Sequence, residues 1–344
     1  MSFFPLEMKG TPYEIGHKRG WHFRHLIKSI SETRLKKVRD RKRKMTLARY
    51  IERVLERHYP ELVQELKGMA DGARISYDKM LLLNAWWDKP SYCSNVALTE
   101  TKVGPVLGSS LDIGHSPYLI MMHYRPKRGH SFLTVCSPDF IGAARAMNDA
   151  GLCLCGSTTK AIDEGNGFPR YTMCRVAMQY CSNVGEVAEL FGKFKEGFYN
   201  PGNYMFVDRK GDAMVIEQTN KAFVIRRPQN EGIACTNHYI TPEAQKLGYD
   251  RYDWTWLLKN SRDRYQNLLE FIASADRNRP IESLQSVLRS HGTGGICQHG
   301  GEHELCATVA FVMSPRQKGF YVSQPIGFYC QSQFIRYDFL SNPW

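Results

Sequence analysis

The hydrophobic period of this chain changes sharply near residue 90. Before that point apolar residues recur at helical spacing, through Tyr50, Ile51, Val54 and Leu55 and again through Leu62, Val63, Leu66 and Met69. Pro60 stands just ahead of the second run, with Glu61 and Glu65 behind it, and Gly72 follows as a stop. A further short helix runs through Met80, Leu81, Leu82 and Leu83 toward Trp86 and Trp87. After Pro90 the apolar runs shorten to strand length and are broken by turns, at 94–98, 106–111, 118–123, 131–135, 142–147 and 152–154.

Two helical patterns follow at 171–181 and 184–194, then strands at 203–208, 213–218 and 222–226, with Arg209, Lys210, Gly211 and Asp212 as a hairpin turn. The closing section repeats the order, with helices at 263–275 and 281–290 and strands at 307–313 and 319–324. Strand runs separated by paired helices predict sheets with helices packed outside them.

An apolar share of 42% in 344 residues is enough for a sizeable core. No charged-then-apolar start precedes Gly10, and the apolar stretch around Tyr118 to Met122 is too short for a bilayer, so the expectation is a soluble cytoplasmic protein without a membrane partner. The ten cysteines are scattered through apolar patterns, and most read as reduced, buried thiols.

The net charge of +12 concentrates in Arg34, Lys36, Lys37, Arg39, Arg41, Lys42, Arg43 and Lys44, opposed only by Asp40. Such a run reads as a solvated helix or connection, or as a docking surface for an acidic carrier protein or a phosphate-bearing substrate. Nucleic acid is the weakest reading, since no reader motif or stacking aromatic run accompanies the charge.

Cys93 stands at the junction between the two periods, followed by Ser94 and Asn95. By itself a lone cysteine is as readily a buried structural thiol as a nucleophile. Cys297, His299, His303 and Cys306 have the donor chemistry of a zinc site, but their spacing is not that of a finger or ribbon, and Gly294, Gly295, Gly300 and Gly301 suggest a flexible loop. No metal or cofactor is expected.

A series of motifs in order resembles the acyl-coenzyme A:6-aminopenicillanic acid acyltransferase family, relatives of choloylglycine hydrolases and acid ceramidase. It begins with Gly10-Thr11-Pro12-Tyr13-Glu14-Ile15-Gly16 and Gly20, then Pro60-Glu61, Glu65-Leu66-Lys67-Gly68-Met69-Ala70 and Leu83-Asn84-Ala85. Cys93-Ser94-Asn95-Val96-Ala97 and Met147-Asn148-Asp149-Ala150-Gly151-Leu152 come next. The segment from Asn203 to Asp208, with Gly211-Asp212 and Glu217, precedes Thr236-Asn237-His238, Ser261-Arg262-Asp263-Arg264, Ile296-Cys297-Gln298-His299 and Thr308-Val309.

The resemblance implies an αββα sandwich of the N-terminal-nucleophile type in the α+β class, with residues 1–92 as a helical pro-segment and 93–344 as the catalytic domain. Self-cleavage between Tyr92 and Cys93 would leave one residue carrying both a thiol and an α-amino group. That amine, with a reference pKa of about 7.7 to 8.0, can take the thiol proton and return it to the leaving group. By the same resemblance Asp112 would orient the amine and Asn237 would donate its side-chain amide to the oxyanion. Asn148, Arg264 or Arg262, and Ser110 would contact substrate or steady the site.

The reading from the residues alone keeps Asp112 as a turn-capping aspartate, Asn148 and Asn237 as loop asparagines, and the arginines as helix-surface residues. Trp86, Trp87, Phe140 and Phe168 are candidates for an acyl pocket or for core. The chain departs from the family at Tyr92, Ser109 and Ser110, which keeps open an unprocessed, non-catalytic binding protein of the same fold. The expected reaction is attack on an amide or acyl thioester and transfer of the acyl group to water or an amine. The expected partners are that small-molecule substrate, a coenzyme A or acidic acyl-carrier donor, and the cleaved pro-segment itself.

Overall fold

The computed structural model describes residues 5–85, 92–112, 119–163, 165–194, 197–248, 255–299, 307–323 and 329–339. The front section runs β1 (Leu6–Gly10), α1 (Pro12–His22), α2 (Arg24–Lys36), α3 (Arg41–His58), α4 (Pro60–Ala73) and α5 (Tyr77–Ala85). Beyond the junction come β2 (Asn95–Leu98), β3 (Val106–Asp112), β4 (Ile120–Pro126), β5 (Phe132–Cys136), β6 (Arg145–Asn148), β7 (Cys153–Thr158), β8 (Phe168–Pro169), α6 (Arg170–Tyr180) and α7 (Val184–Lys193). Next are β9 (Phe198–Tyr199), β10 (Gly202–Val207), β11 (Ala213–Gln218), β12 (Phe223–Arg226) and β13 (Gly232–Cys235). The chain then forms α8 (Pro242–Gln245), α9 (Thr255–Ser274), α10 (Pro280–Leu288), β14 (Ala307–Ser314), β15 (Gly319–Ser323) and β16 (Phe334–Asp338).

The strands assemble into a larger sheet of order β1-β4-β5-β6-β7-β10-β11-β12 and a smaller one of order β13-β2-β3-β14-β15-β16. Their side chains alternate between two apolar layers. Along β10, Tyr204 and Phe206 pack under helices while Met205 and Val207 face the other sheet. Along β14, Val309, Phe311 and Met313 face inward while Ala310 and Val312 pack under α9 and α10. Both sheet faces are covered, so the strands are nearly continuous in apolar residues, without a polar face. Three stacked cores between four layers make the expected αββα sandwich.

The front section is built into this sandwich. β1 pairs in parallel with β4, Leu6 opposite Met122, and so forms an edge of the larger sheet. The helical reading of the front section did not anticipate that strand. α1 starts at a capping box in which Glu14 N–H donates to Thr11 Oγ1 and Thr11 N–H donates to the Glu14 carboxylate at 2.7 Å. The helix then lies directly on α4. A Cβ at Gly16 would stand 2.0 Å from the Glu65 carbonyl oxygen, and one at Gly68 2.2 Å from that of Tyr13. The glycines in the opening motif therefore let two helix backbones touch.

A buried charge network joins front to back. Arg19 on α1 donates to the Pro138 carbonyl at 2.9 Å, and Glu65 on α4 accepts from Tyr124 at 3.0 Å and Arg175 at 3.4 Å. Arg19 is 0% exposed and Glu65 is 2% exposed. Removing one member of such a group typically costs about 3–5 kcal/mol, because a buried charge is left without its partner. Asn84 adds a polar staple: its amide donates to the Asp139 carbonyl at 2.9 Å and its oxygen accepts from Ile141 N–H at 2.9 Å.

Among the described residues no helix is long and apolar enough to cross a membrane. The exposed part of the basic run, Lys36, Lys37, Arg39, Arg41, Lys42 and Arg43, lies at the turn from α2 to α3. Arg34 is not part of that surface, since it pairs with Asp139 at 2.7 Å.

Candidate active site

Tyr92 and Asp112 form an isolated antiparallel bridge in which Tyr92 N–H donates to the Asp112 carbonyl at 2.9 Å and Asp112 N–H donates to the Tyr92 carbonyl at 2.8 Å. Two residues along, Ser110 N–H donates to the Ser94 carbonyl at 2.8 Å, and Ser94 N–H donates to Ser110 Oγ at 3.1 Å. Cys93 is thus clamped between a bridge and a strand, is 0% exposed, and packs in the apolar layer between the sheets.

Its backbone is held from two further directions. Cys93 N–H donates to Asn237 Oδ1 at 2.9 Å, while Arg264 donates through Nη1 to the Cys93 carbonyl at 2.9 Å and to Ser94 Oγ at 2.7 Å. Arg264 Nη2 reaches Asn237 Oδ1 at 3.0 Å, and its Nε donates to Asn260 at 2.8 Å. Asn237 is fixed in turn: its N–H donates to Ser261 Oγ at 2.8 Å and its side-chain amide donates to the Thr158 carbonyl at 2.8 Å. Ser261 and Arg264 lie three apart on α9 and so share one face of that helix.

Asp112 ends β3 beneath this arrangement. One carboxylate oxygen accepts from Ser110 Oγ at 3.4 Å, and the other is buried with no hydrogen-bond partner. Burial pushes the carboxyl up to about 7, against the pull of Arg264 and Arg145 and the Ser110 hydrogen bond. Burial also lowers the pKa of Arg264, with Asp112 and then Cys93 opposing that shift. His238 is pressed down to about 3 by burial and by Arg262, Arg264 and Arg226, which makes it a neutral hydrogen-bond partner of Ser261, 2.8 Å away.

Cys93, Asp112, Asn237, Arg264 and Ser110 therefore meet, but not each in its expected role. In this uncut chain the Asn237 amide faces Thr158, and its oxygen holds the Cys93 nitrogen. Ser110 is fully buried between Ser94 and Asp112, where it orients the carboxylate and is not open to a substrate.

Two expectations are corrected. Arg262 is exposed on the opposite side of α9, because two residues turn a helix through about 200°. Asn148 lies on the helix-facing side of the larger sheet, where its amide donates to the Met178 and Cys181 carbonyls at 3.1 and 2.8 Å and its oxygen accepts from Leu152 N–H at 2.9 Å. It is the turn asparagine of the plainer reading.

Phe168 belongs to the core under the helices, and Phe140 is buried against Tyr171. Trp86 and Trp87 lie outside the described residues. A cleft of about 1020 Å³ opens beside Arg226, Ile233, Tyr265 and Arg277, but none of the residues around Cys93 lines it.

Arg145 was missed by the sequence reading. It is 0% exposed on β6, donates through Nε to Ser109 Oγ at 3.2 Å and through Nη2 to the Ser110 carbonyl at 3.1 Å, and its Nη1 is buried without a partner. Burial works against its charge, yet Cys93, Tyr171 and Cys155 hold its pKa above the ordinary value, Cys93 first among them. The available signal was an arginine inside the apolar run at 142–147. With Arg264 it places two guanidinium groups against the single Asp112 carboxylate, a field that favours negative charge gathering on an adjacent carbonyl oxygen.

Residues 104–299 match the family described as acyl-coenzyme A:6-aminopenicillanic acid acyl-transferase, a range that takes in Asp112, Arg145, Asn237 and Arg264 and begins just after Cys93. An uncharacterised protein of Archaeoglobus fulgidus is 25% identical over 348 residues, which cover 82% of this chain and 57% of that protein, so the chain spans little more than half the relative's length. Penicillin V acylase from Agrobacterium tumefaciens superposes with a TM-score of 0.50 at 14% identity, over 72% of this chain and 86% of that one. A variant of the conjugated bile acid hydrolase from Clostridium perfringens gives a TM-score of 0.50 at 14% identity, over 72% and 92%. At these identities the likeness is one of fold, the N-terminal-nucleophile αββα sandwich.

Proposed function

Since this chain belongs to the acyl-coenzyme A:6-aminopenicillanic acid acyltransferase family, we propose that it is a self-processing N-terminal-cysteine amidohydrolase or acyltransferase that works through an acyl-enzyme on Cys93. The observation that carries the reading is the treatment of the Cys93 nitrogen and its surroundings. Asn237 Oδ1 accepts from that nitrogen, Arg264 holds the carbonyl of the same residue, and a buried Asp112 oxygen has no partner. A peptide N–H fills only part of such a site. A free α-amino group has more protons to share among those acceptors.

Processing begins on the Tyr92 carbonyl, whose oxygen accepts from Asp112 N–H at 2.8 Å. The Cys93 sulfur attacks the Tyr92 carbonyl carbon, and the charge gathering on oxygen is met by that N–H. The carbon–nitrogen bond then breaks as the nitrogen takes up a proton, leaving a thioester, and water releases the front section. Asp112, titrating near 7, is the acid–base group at hand. Residues 1–92 and 93–344 then stay together, because β1 and α1 to α5 form an edge and a covering layer of the larger sheet.

In the cut enzyme the α-amine accepts the thiol proton, and the thiolate, with Arg145 nearby, attacks an amide or thioester carbonyl. The amine passes the proton to the leaving group, and water or an acceptor amine takes the acyl group from sulfur. The basic turn between α2 and α3 supports a donor carried on coenzyme A or on an acidic acyl-carrier protein.

The test is intact mass of the purified protein beside a Cys93→Ala variant. Two fragments meeting at Tyr92 and Cys93 in the wild type, with an uncut variant, support self-processing and justify a screen of amides and thioesters. A wild type that stays in one piece sinks the amino-terminal mechanism and leaves a binding protein of the same fold.

A further inference from the structure

Four side chains with metal-binding atoms, none of them among those that hold Cys93, converge: His291 and Cys297 on the loop after α10, His299 two residues on, and Cys330 on the 3₁₀ turn Tyr329–Gln331. Their ligand atoms all lie within 4.8 Å of one another. His299 Nε2 is 3.0 Å from His291 Nε2, 3.2 Å from Cys297 Sγ and 3.2 Å from Cys330 Sγ. One ring nitrogen has a single proton or a single lone pair, so it cannot satisfy three neighbours by hydrogen bonding. A shared cation at the centre accounts for all three contacts.

We propose that His291, Cys297, His299 and Cys330 form a structural zinc site that fastens the loop after α10 to the turn before β16. Two thiolates and two imidazoles are a zinc donor set, and bond lengths of about 2.0–2.1 Å to nitrogen and 2.3 Å to sulfur put tetrahedral ligand atoms about 3.3–3.8 Å apart. The three separations from His299 Nε2 need only a small outward movement to reach that. Two thiols lose their protons to solvent on binding, and the two thiolates neutralise the ion. Four protein ligands close the coordination sphere, so the role is structural and not catalytic.

The surrounding chain already holds the ligands in place. Cys297 N–H donates to the Ser290 carbonyl at 2.9 Å, Asn267 donates to the Gly294 carbonyl at 2.9 Å, and Gly292 and Gly294 take positive φ that other residues resist. Arg289 reaches across to the Ser332 carbonyl at 2.7 Å, tying the loop to the turn independently of any metal. The sequence reading found Cys297 and His299 but paired them with His303 and Cys306, which lie outside the described residues, and preferred no metal. Among the described residues, those that converge on Cys297 and His299 are a histidine before the glycines and a cysteine at the far end of the next hairpin.

The experiment uses the full chain without a histidine tag, purified under reducing conditions, loaded with zinc and dialysed against metal-free buffer. Elemental analysis should find about one zinc per chain, and Cys330→Ser, at the less buried of the two cysteines, should reduce this at least about tenfold. Cobalt(II) in place of zinc should give a thiolate-to-metal charge-transfer band and tetrahedral visible bands in the wild type, both weakened in Cys330→Ser. Wild type that retains no zinc after loading overturns the proposal, as does a Cys297–Cys330 disulfide in protein kept reduced. Neither result bears on cleavage at Cys93, so this inference and the proposed function fail separately.

Discussion

Replacing Asp112 by asparagine, in an uncut Cys93→Ala background, should change how stability depends on pH. The carboxyl is completely buried and titrates at about 7 instead of its ordinary 3.8, because burial outweighs the help of Arg264, Arg145 and the Ser110 hydroxyl. Below pH 4 or so it is protonated in both the folded and unfolded chain and contributes nothing. Between about pH 4 and pH 7 the folded protein keeps the proton that the unfolded chain has given up, so stability falls as pH rises through that window and is level above it. About three pH units at about 1.4 kcal/mol each amount to a loss of about 4 kcal/mol at neutral pH, an upper figure because water entering the site would relieve part of it.

Asparagine keeps the shape without a charge to bury. Buried, neutral His238 works the other way, since its pKa near 3 makes the fold lose stability as pH drops below about 6.5, but it is common to both proteins and cancels in the comparison. Urea unfolding followed by tryptophan fluorescence should show the asparagine protein gaining about 3–4 kcal/mol on its parent between about pH 4 and pH 8. Parallel stability curves would refute the account of Asp112.

Two further outcomes follow from the site and the surface. Arg264→Met should slow self-cleavage by about two to three orders of magnitude, the usual loss when a charge-stabilising donor is removed, while Arg262→Met should stay within about twofold; fragment masses over time would separate them, and equal effects would overturn the assignment. Changing Lys36, Lys37 and Lys42 together to glutamate should raise KM for a coenzyme A or carrier-bound donor several-fold with kcat unchanged, and added salt should do the same to the wild type. An unmoved KM would remove the basic turn from substrate recognition.

Much of the architecture was legible because period and chemistry agreed. The strand and helix runs from residue 94 to 226 appear where the apolar spacing places them, and the turn at Gly211 joins β10 to β11. β1, β8, β9, β13 and β16 were not foreseen. Each is short, and β1 and β13 exist because a distant strand offers an edge: β1 lies against β4 and β13 against β2, each across more than a hundred residues, which no local pattern encodes. The resemblance named Cys93, Asp112 and Asn237, which the structure brings together, but telling Arg264 from Arg262 needed the face of α9 that packs inward. Arg145 was hidden because a lone arginine in an apolar strand has no local signature beyond its own incongruity.

The route of the chain through the larger sheet bears on how this protein must be made. Its first strand sits at the edge of that sheet, and α1 and α4 touch backbone to backbone, so the information that assembles the sandwich is distributed on both sides of Cys93. An intact chain finds that arrangement in a unimolecular search. Once cut, the same molecule would have to reassemble from two partners, at a rate set by their concentration. Cleavage would then be a ratchet on refolding: mature protein that has been unfolded in dilute solution should recover poorly, while Cys93→Ala recovers, and expressing residues 93–344 alone should yield a sheet with one bare edge and one uncovered apolar face.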